Sequence, residues 1–374
     1  MEYKLGVIGI GHWFRRLYSG IASVGSIEIT KALGTRPYES KAEMLSGFGI
    51  DRSMYFTVRP DGSIPDEFFE GVDAVHISNP NSFHARQIKE TLSKGKKAVV
   101  EKTFAVTKKE FDDVVEYIKK GGYQDSVYLH LHYLHKLPTT ELANSIEGLV
   151  SKHGKIESVC VTVLEQHDDE DARRAGWLFR MDNGGLFMDW IHVFEILYYA
   201  ARPSFGKIEN LELYEVDSSY DTGNPTGIFA ELGLSGRLFG DGARLAASIA
   251  KGTEEKYAKK GMLLKFESGA YARLSYMGSE KESRDRRGSF EIGRMENGKR
   301  VAELTKPLSG DSSSEIFVRE IVELCGGINI GLSINQIGDI FAPQWDYQSI
   351  YKGKQIINER KRVEEFLERA ANEV

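Results

Sequence analysis

The stretch "VDAVHISNPNSFHARQIKETLSKGKKAVVEKTFAVTKKEF", residues 72–111, alternates two patterns that together decide the fold. The apolar run "VDAVHIS" reads as a buried strand and breaks at Asn79-Pro80. From about Asn81 a helical pattern places Ala85, Ile88 and Leu92 on one face. "KAVVEK" is the next short strand, and it ends on an acid and a base side by side, Glu101 and Lys102. Thr107-x-x-Glu110 then has the form of a capping box, in which hydroxyl and carboxylate satisfy the first free N–H groups of a helix. That helix carries Phe111, Val114, Val115 and Ile118 on one face. Strands separated by helices of this length form parallel βαβ units.

Outward toward the N-terminus the alternation continues. "YKLGVIGI" is a continuous apolar strand, followed by a helix from near His12. "IEITKALG", the helical "PYESKAEMLSGFG" and the strand near "MYFTV" come next. Residues 1–130 therefore read as a doubly wound parallel sheet. After "SVYLHLHY" the pattern changes. One very apolar helix, "GLFMDWIHVFEILYYA", precedes strands with no helices between them: "IENLELYEV", "GIFAELGLSG", "ARLAASIA", "MLLKFES", "AYARLSYM" and "SFEIGRM". Asn297-Gly298 marks a two-residue hairpin turn into "KRVAEL". "KGTEEKYAKKG" reads as an exposed connection. Helical patterns return from about Ser314, and a closing helix holds Val363, Phe366, Leu367 and Ala370. Residues 131–374 thus read as an α+β domain with an open, mostly antiparallel sheet.

The totals bound the function classes. The length of 374 residues suits two domains, and 41% hydrophobic residues allow each its own core. Lys and Arg number 49 against 55 Asp and Glu, a net charge of −6 with no basic block. That balance argues against nucleic acid or an anionic membrane as the main partner. The two cysteines, Cys160 and Cys325, lie far apart and suit a reducing compartment. No apolar run approaches the ~20 residues of a membrane span, and no signal-peptide pattern opens the chain. A cytoplasmic protein is the expectation.

Gly9-Ile10-Gly11 follows the first strand and opens the first helix, the context of a turn whose backbone cradles phosphate. Phe14 stands where a third glycine is usual, and a bare G-x-G is also compatible with a simple tight turn. His12 and Trp13 complete the candidate turn. The second strand ends Gly34-Thr35-Arg36, with no acidic residue for the ribose hydroxyls of NAD. A hydroxyl followed by a guanidinium suits a 2′-phosphate, so NADP(H) is expected over NAD(H).

Asn79-Pro80-Asn81-Ser82-Phe83-His84 and Glu101-Lys102-Thr103 closely resemble two motifs of the glucose–fructose oxidoreductase / inositol dehydrogenase (Gfo/Idh/MocA) family, "TPNxxH" after the fourth strand and "EKP" at the fifth. "GWLFRMDNGGLFMDWIHVFE" is similar to the family segment that carries its acid–base residues. The resemblance implies a Rossmann domain for residues 1–130, and an oxidoreductase transferring hydride between nicotinamide and a carbinol or carbonyl carbon of a sugar or polyol. It further implies that Lys102 holds the reacting oxygen beside Glu101, and that Asn79, Pro80, Asn81 and His84 line the cofactor. A homo-oligomer through the C-terminal sheet is implied as well. Thr103 replaces the usual proline.

Asp189, His192 and Glu195 are the only ionisable groups in an otherwise apolar stretch, and i, i+3 spacing puts neighbours on one helical face. Buried ionisable groups must be paired or shift their pKa. A carboxylate beside an imidazole is a natural acid–base unit near neutral pH, with Asp189 supporting His192. The family separates its Asp and His by four positions where this chain has three, a rotation of ~100°. A dinucleotide-binding sensor without turnover, or a reductase for a non-sugar substrate such as a dihydrodiol, is the alternative reading.

His130, His132 and His135 could be metal ligands, substrate contacts or packed strand residues. No cysteine or carboxylate nearby in sequence completes a metal set, so none is expected, and His132 is taken as a substrate contact. Trp177 and Arg180 are expected to wall the substrate pocket. "EQHDDEDARR" lacks the turn and acid spacing of a calcium loop.

Overall fold

Short strands of three to eight residues build the first sheet: β1 (Tyr3–Ile8), β2 (Ile27–Gly34), β3 (Tyr55–Thr57), β4 (Ala74–Ile77), β5 (Lys97–Glu101) and β6 (Val127–His130). The computed structural model describes residues 3–18, 26–166, 179, 185–220, 223–276, 287–327, 332–351 and 353–374. The strand order is β3-β2-β1-β4-β5-β6, and every pair is parallel. β4 and β5 are buried almost end to end, as strands covered on both faces must be. Helices α1 (His12–Tyr18), α2 (Ala42–Gly47), α3 (His84–Ser93) and α4 (Lys108–Gly121) connect them. The expected capping box is present at α4, with Thr107 accepting from the Glu110 N–H and Glu110 reaching back. The order reverses between β1 and β4, and the crevice outside the carboxyl ends there is where doubly wound sheets bind ligands.

The second sheet contains β7 (Ile156–Gln166), β8 (Ser204–Tyr214), β9 (Gly227–Ser235), β10 (Phe239–Thr253), β11 (Lys259–Phe266), β12 (Ala270–Tyr276), β13 (Arg287–Glu296), β14 (Lys299–Ser309) and β15 (Ile356–Ile357). Their order is β14-β13-β12-β11-β7-β10-β9-β8-β15. Two pairs, β7 with β10 and β8 with β15, are parallel and the rest antiparallel. The central strand β7 has no counterpart among the strands expected from the sequence. Asn297 and Gly298 have φ of 52° and 75°, the left-handed pair that a two-residue hairpin requires. α5 (Leu137–His153) and α6 (Ile191–Ala201) belong to this unit.

"KGTEEKYAKKG" is not an exposed connection throughout. Lys251–Thr253 ends β10, Tyr257 is buried in a single 3-10 turn, and Lys259-Lys260 begins β11. The lysines at its two ends have carboxylate partners, described below, which a pattern of polar residues does not disclose.

The remaining elements are α7 (Ser313–Cys325), α8 (Ile334–Ile350) and α9 (Arg360–Glu373). The chain forms two compact units: Met1–His132 with Ser312–Gln336, and Tyr133–Asp311 with Ile337–Val374. A single cut at 130/131 does not contain the return of α7 to the first unit. The return has a hydrophobic cause, because Phe317, Val318, Ile321 and Leu324 share one buried cluster with Leu5, Phe14, Val99 and Tyr128. Lys97 also donates to the terminal carbonyl of Leu324, stabilising the end of the helix where its dipole is negative. Among the described residues, no helix is long and apolar enough to cross a membrane.

Candidate active site

β1 runs directly into Gly9-Ile10-Gly11. Gly9 has a φ of +99°, and a Cβ there would lie 2.5 Å from the Asn79 nitrogen and 2.6 Å from the Ser78 carbonyl carbon. Only glycine fits such a position. The Ser78 hydroxyl donates to the Gly9 carbonyl at 3.0 Å, tying the end of β4 to this turn. A Cβ at Gly11, by contrast, would meet nothing within 4 Å. Phe14, expected at the cofactor, has its side chain in the core instead. It is fully buried, stacked on Tyr18 at 4.4 Å and edge-on to Phe48 at 4.9 Å. The aromatic ring thus fills the space beneath the turn where a third glycine would let helix and strand close up.

Thr35 and Arg36 are exposed just beyond β2, and the Tyr55 hydroxyl donates to the Arg36 carbonyl at 2.6 Å. Lys41 donates to the Ile10 carbonyl inside the glycine turn. Burial, and then the positive charges of Arg36 and Arg15, push the Lys41 pKa down. A lysine whose charge is disfavoured by burial and by two nearby guanidinium groups, beside an open glycine turn, forms an arrangement that a polyanion relieves. Sequence reasoning found Arg36 but neither Arg15 nor Lys41, whose convergence depends on how α1 and β2 are brought together. Asn79 Oδ1 is buried without a hydrogen-bond partner among the described residues. Open space at Gly11, an unused amide oxygen and nearby cations fit a nicotinamide dinucleotide.

Pro80 and Asn81 lead through one 3-10 turn into α3. His84, expected to line the cofactor, is fully buried. Its Nδ1 lies 2.6 Å from the Thr103 carbonyl and its Nε2 2.8 Å from the Asn79 carbonyl. The imidazole therefore joins the two motif loops to each other from inside. Burial pushes its pKa down despite those two carbonyls.

Glu101 and Lys102 leave the end of β5 on opposite sides, as successive strand residues do. Lys102 is half-buried, and the Lys102–Thr103 peptide is cis. Glu101 is buried, with Oε1 3.5 Å from His76 Nε2 and 3.9 Å from His130 Nε2. Burial alone would raise its pKa, but His130, His76 and the Trp13 indole outweigh that and leave it below the usual carboxylate range. His76 is an ionisable residue inside an otherwise apolar four-residue strand, a signal present in the sequence. β6 ends at His130, so His132 lies in the following 3-10 turn and not on a shared strand face. Its ring centroid is 6.3 Å from Trp13 and 5.8 Å from His130. Among the described residues, no group of three or more His, Cys, Asp or Glu could hold a metal.

In the second unit the acid–base helix begins later than its apolar run suggests. Gly185–Asp189 forms a 3-10 turn, and α6 starts at Ile191. Asp189 therefore lies in the turn before the helix that carries His192. Glu195, one turn further on, lies with Oε1 3.0 Å from His192 Nδ1. Asp189 pairs instead with Lys251 at 3.3 Å. Lys251 and Lys260 both reach the Glu165 carboxylate, at 2.6 and 2.5 Å. Burial opposes the charge on Glu165, but the two lysines hold its pKa well below the ordinary value.

A carboxylate on Nδ1 fixes the proton of His192 on that nitrogen. The Tyr133 ring packs edge-on to the imidazole, centroids 4.8 Å apart, and Tyr276 lies 5.1 Å beyond it. Thr139 donates to the Tyr133 carbonyl at 2.5 Å, so it accepts from the Tyr276 hydroxyl at 2.6 Å. None of Tyr133, Thr139, Tyr276, Lys251, Lys260 or Glu165 was expected from the sequence. Lys251, a lone cation ending an apolar alternating strand, carried the clearest signal. Trp177, Arg180 and the His12 side chain lie outside the described residues.

Residues 3–129 match the model of an oxidoreductase family with an NAD-binding Rossmann fold, Gfo/Idh/MocA. Among solved structures, the aldose-aldose oxidoreductase from Caulobacter crescentus is similar at 15% identity and a TM-score of 0.71, over 95% of this chain and 99% of that one. KijD10, a 3-ketoreductase from Actinomadura kijaniata in complex with NADP and TDP-benzene, matches at 16% and 0.71, over 96% and 100%. The WlbA dehydrogenase from Bordetella pertussis, in complex with NADH and UDP-GlcNAcA, matches at 16% and 0.66, over 94% and 98%. These likenesses are of fold, and no protein of curated function matches at the level of sequence. Residues 3–129, with their reversed strand order, match the NAD-binding Rossmann unit of the Gfo/Idh/MocA oxidoreductases, and the chain shares the fold of these neighbours, its second, mostly antiparallel sheet included.

Proposed function

We propose that the protein is an NADP(H)-preferring oxidoreductase acting on the carbinol or carbonyl carbon of a sugar, polyol or related hydroxy compound. The observation that carries the cofactor preference is the convergence of Arg15, Arg36 and Lys41 beside Gly9-Ile10-Gly11. The family and the carbohydrate chemistry of the structural neighbours support the substrate class.

When bound, the nicotinamide supplies the hydride donor or acceptor. Thr35 and Arg36 bind the 2′-phosphate, with Lys41 and Arg15 adding positive potential. Lys102 holds the reacting oxygen and stabilises negative charge developing on it. His192 moves the proton through Nε2, with Glu195 fixing the Nδ1 proton. Asp189, Trp177, Arg180 and His132 are proposed contacts of the substrate. A homo-oligomer through the second unit's sheet belongs to the same reading; Val301 and Leu304 on β14 are exposed apolar side chains of that sheet.

The test is calorimetric titration with NADP⁺ and NAD⁺, beside assays on a panel of aldoses, polyols and sugar acids. Preference for NADP⁺ is expected, and Arg36→Ala should weaken NADP⁺ about tenfold while leaving NAD⁺ near its starting affinity. Lys102→Ala should abolish turnover and keep cofactor binding. Equal affinity for the two cofactors overturns the preference. Tight binding with no turnover on any panel member favours a sensor.

A further inference from the structure

At the carboxyl ends of β4, β5 and β6 lie His76, Glu101 and His130, and α7 adds Glu320 from 190 positions away. Glu320 and His130 are fully buried, and Glu320 Oε2 accepts a hydrogen bond from His130 Nδ1. The other ring nitrogen of His130 faces Glu101 Oε1 at 3.9 Å. Tyr18 stays a hydroxyl, because burial and the Glu101 charge push its pKa well up. Its hydroxyl lies 2.9 Å from His76 Nδ1, and with the His76 proton on Nε2, the nitrogen 3.5 Å from the Glu101 carboxylate, it donates to Nδ1. Tyr18, His76, Glu101, His130 and Glu320 therefore form one path, hydrogen-bonded at its two ends and joined through Glu101 by the longer 3.5 and 3.9 Å approaches.

Every element packed around this path contributes. α1 supplies Trp13 and Tyr18, β4 His76, α3 His84, β5 Glu101, β6 His130 with His132 just beyond, and α7 Glu320. Phe317, one turn before Glu320, covers the path with its ring, 4.5 Å from His76, 5.3 Å from His130 and 5.6 Å from Tyr18. An apolar residue at position 320 would pack there without desolvating a charge. A carboxylate instead accepts from Nδ1 of an imidazole whose Nε2 lies 3.9 Å from a second carboxylate, so two negative charges favour a proton on each ring nitrogen.

We infer that Glu320 is a positioning residue of the cofactor unit, holding His130 as an imidazolium so that Glu101 remains a carboxylate at the strand end that carries Lys102. The inference rests on the proposed role of that strand end in the NADP(H) site.

The test is nuclear magnetic resonance of ¹⁵N,¹³C-histidine-labelled protein from pH 6 to 9, with the His130 signal assigned by its loss in His130→Gln. In the wild-type protein the His130 ring should carry both protons at pH 7.5. In Glu320→Gln that titration should move down by at least about one pH unit, and Glu320→Asp should fall between. A neutral His130 ring in the unsubstituted protein at pH 7.5 overturns the inference without any variant. The second arm is the pH profile of turnover. Its acid limb should move up by about one unit in Glu320→Gln, with the cofactor KM changed less than kcat, and Glu320→Asp should restore most of it. A shifted His130 signal with superimposable pH profiles reduces the path to a structural network and also overturns the inference. Absence of NADP(H) binding by the wild-type protein would instead defeat the cofactor reading, leaving the resonance arm to decide the protonation of His130.

Discussion

Gly9 and Gly11 sit two residues apart in one turn, yet alanine should act on them through different quantities. At Gly9 a Cβ would stand 2.5 Å from a backbone nitrogen and 2.6 Å from a backbone carbon, atoms that no rotamer change can move. A non-glycine residue with φ near +99° adds ~1–2 kcal/mol of backbone strain. Relieving the overlap costs a further ~1–3 kcal/mol. In a domain of this size each kcal/mol lowers Tm by about 2–4 °C, so Gly9→Ala should melt roughly 5–20 °C earlier. At Gly11 a Cβ meets nothing within 4 Å, so Gly11→Ala should change stability by no more than about 0.5 kcal/mol. The new methyl group would occupy the space through which a pyrophosphate approaches the backbone, and should weaken NADP⁺ at least about tenfold, some 1.4 kcal/mol. Differential scanning calorimetry and isothermal titration on the same two variants separate the effects. A Gly9→Ala protein with wild-type Tm would refute the account of the turn, and a Gly11→Ala protein with wild-type Kd would refute the phosphate site.

Three further outcomes follow from the buried charges. Burial holds the pKa values of His76 and His84 below the ordinary 6.5, so below that pH the unfolded chain binds protons that the folded protein does not; from these two groups stability should fall between pH 6.5 and 5 by as much as ~2.7 kcal/mol per unit. Urea midpoints at half-unit intervals measure this, and equal midpoints at pH 7 and 5.5 would contradict it. Glu195→Gln preserves shape but removes the charge on His192 Nδ1, so kcat should fall about a hundredfold with KM little changed; undiminished kcat would remove His192 from the reaction. Lys251→Met takes one cation from Glu165 and from Asp189 and should destabilise the protein by about 3 kcal/mol in chemical denaturation, whereas a loss under 1 kcal/mol would mark the cluster as solvated.

The parallel half of the fold is legible because most of its strands are short runs rich in apolar residues with a helix after them, so local pattern and topology coincide. The hairpin at Asn297-Gly298 and the capping box at Thr107 are legible for the same reason: each is a contact between near neighbours. The start of α6 is not. Trp190 at its N-cap makes no side-chain capping bond, and the apolar run on both sides of it has no residue to mark a boundary. The spacing of Asp189, His192 and Glu195 therefore looks like one helical face when only the last two share it. The sequence signal, ionisable residues inside an apolar run, marked Asp189, His192 and Glu195, and the hydrogen bond to His192 Nδ1 comes from Glu195. A lone ionisable residue in an apolar run shows that a partner must exist, because its burial would otherwise be too costly. It does not show which partner, because sheet and helix packing bring that partner from elsewhere: Lys251 for Asp189, Glu165 for Lys260, and Glu320 for His130. His76 and Glu320 were each visible by that rule, and only the return of α7 to the first unit brings them into one path. Substituting Phe317, whose ring packs against Tyr18, His76 and His130, should therefore disturb the His130 resonance without touching any charge, as expected if packing and not pattern assembles the site.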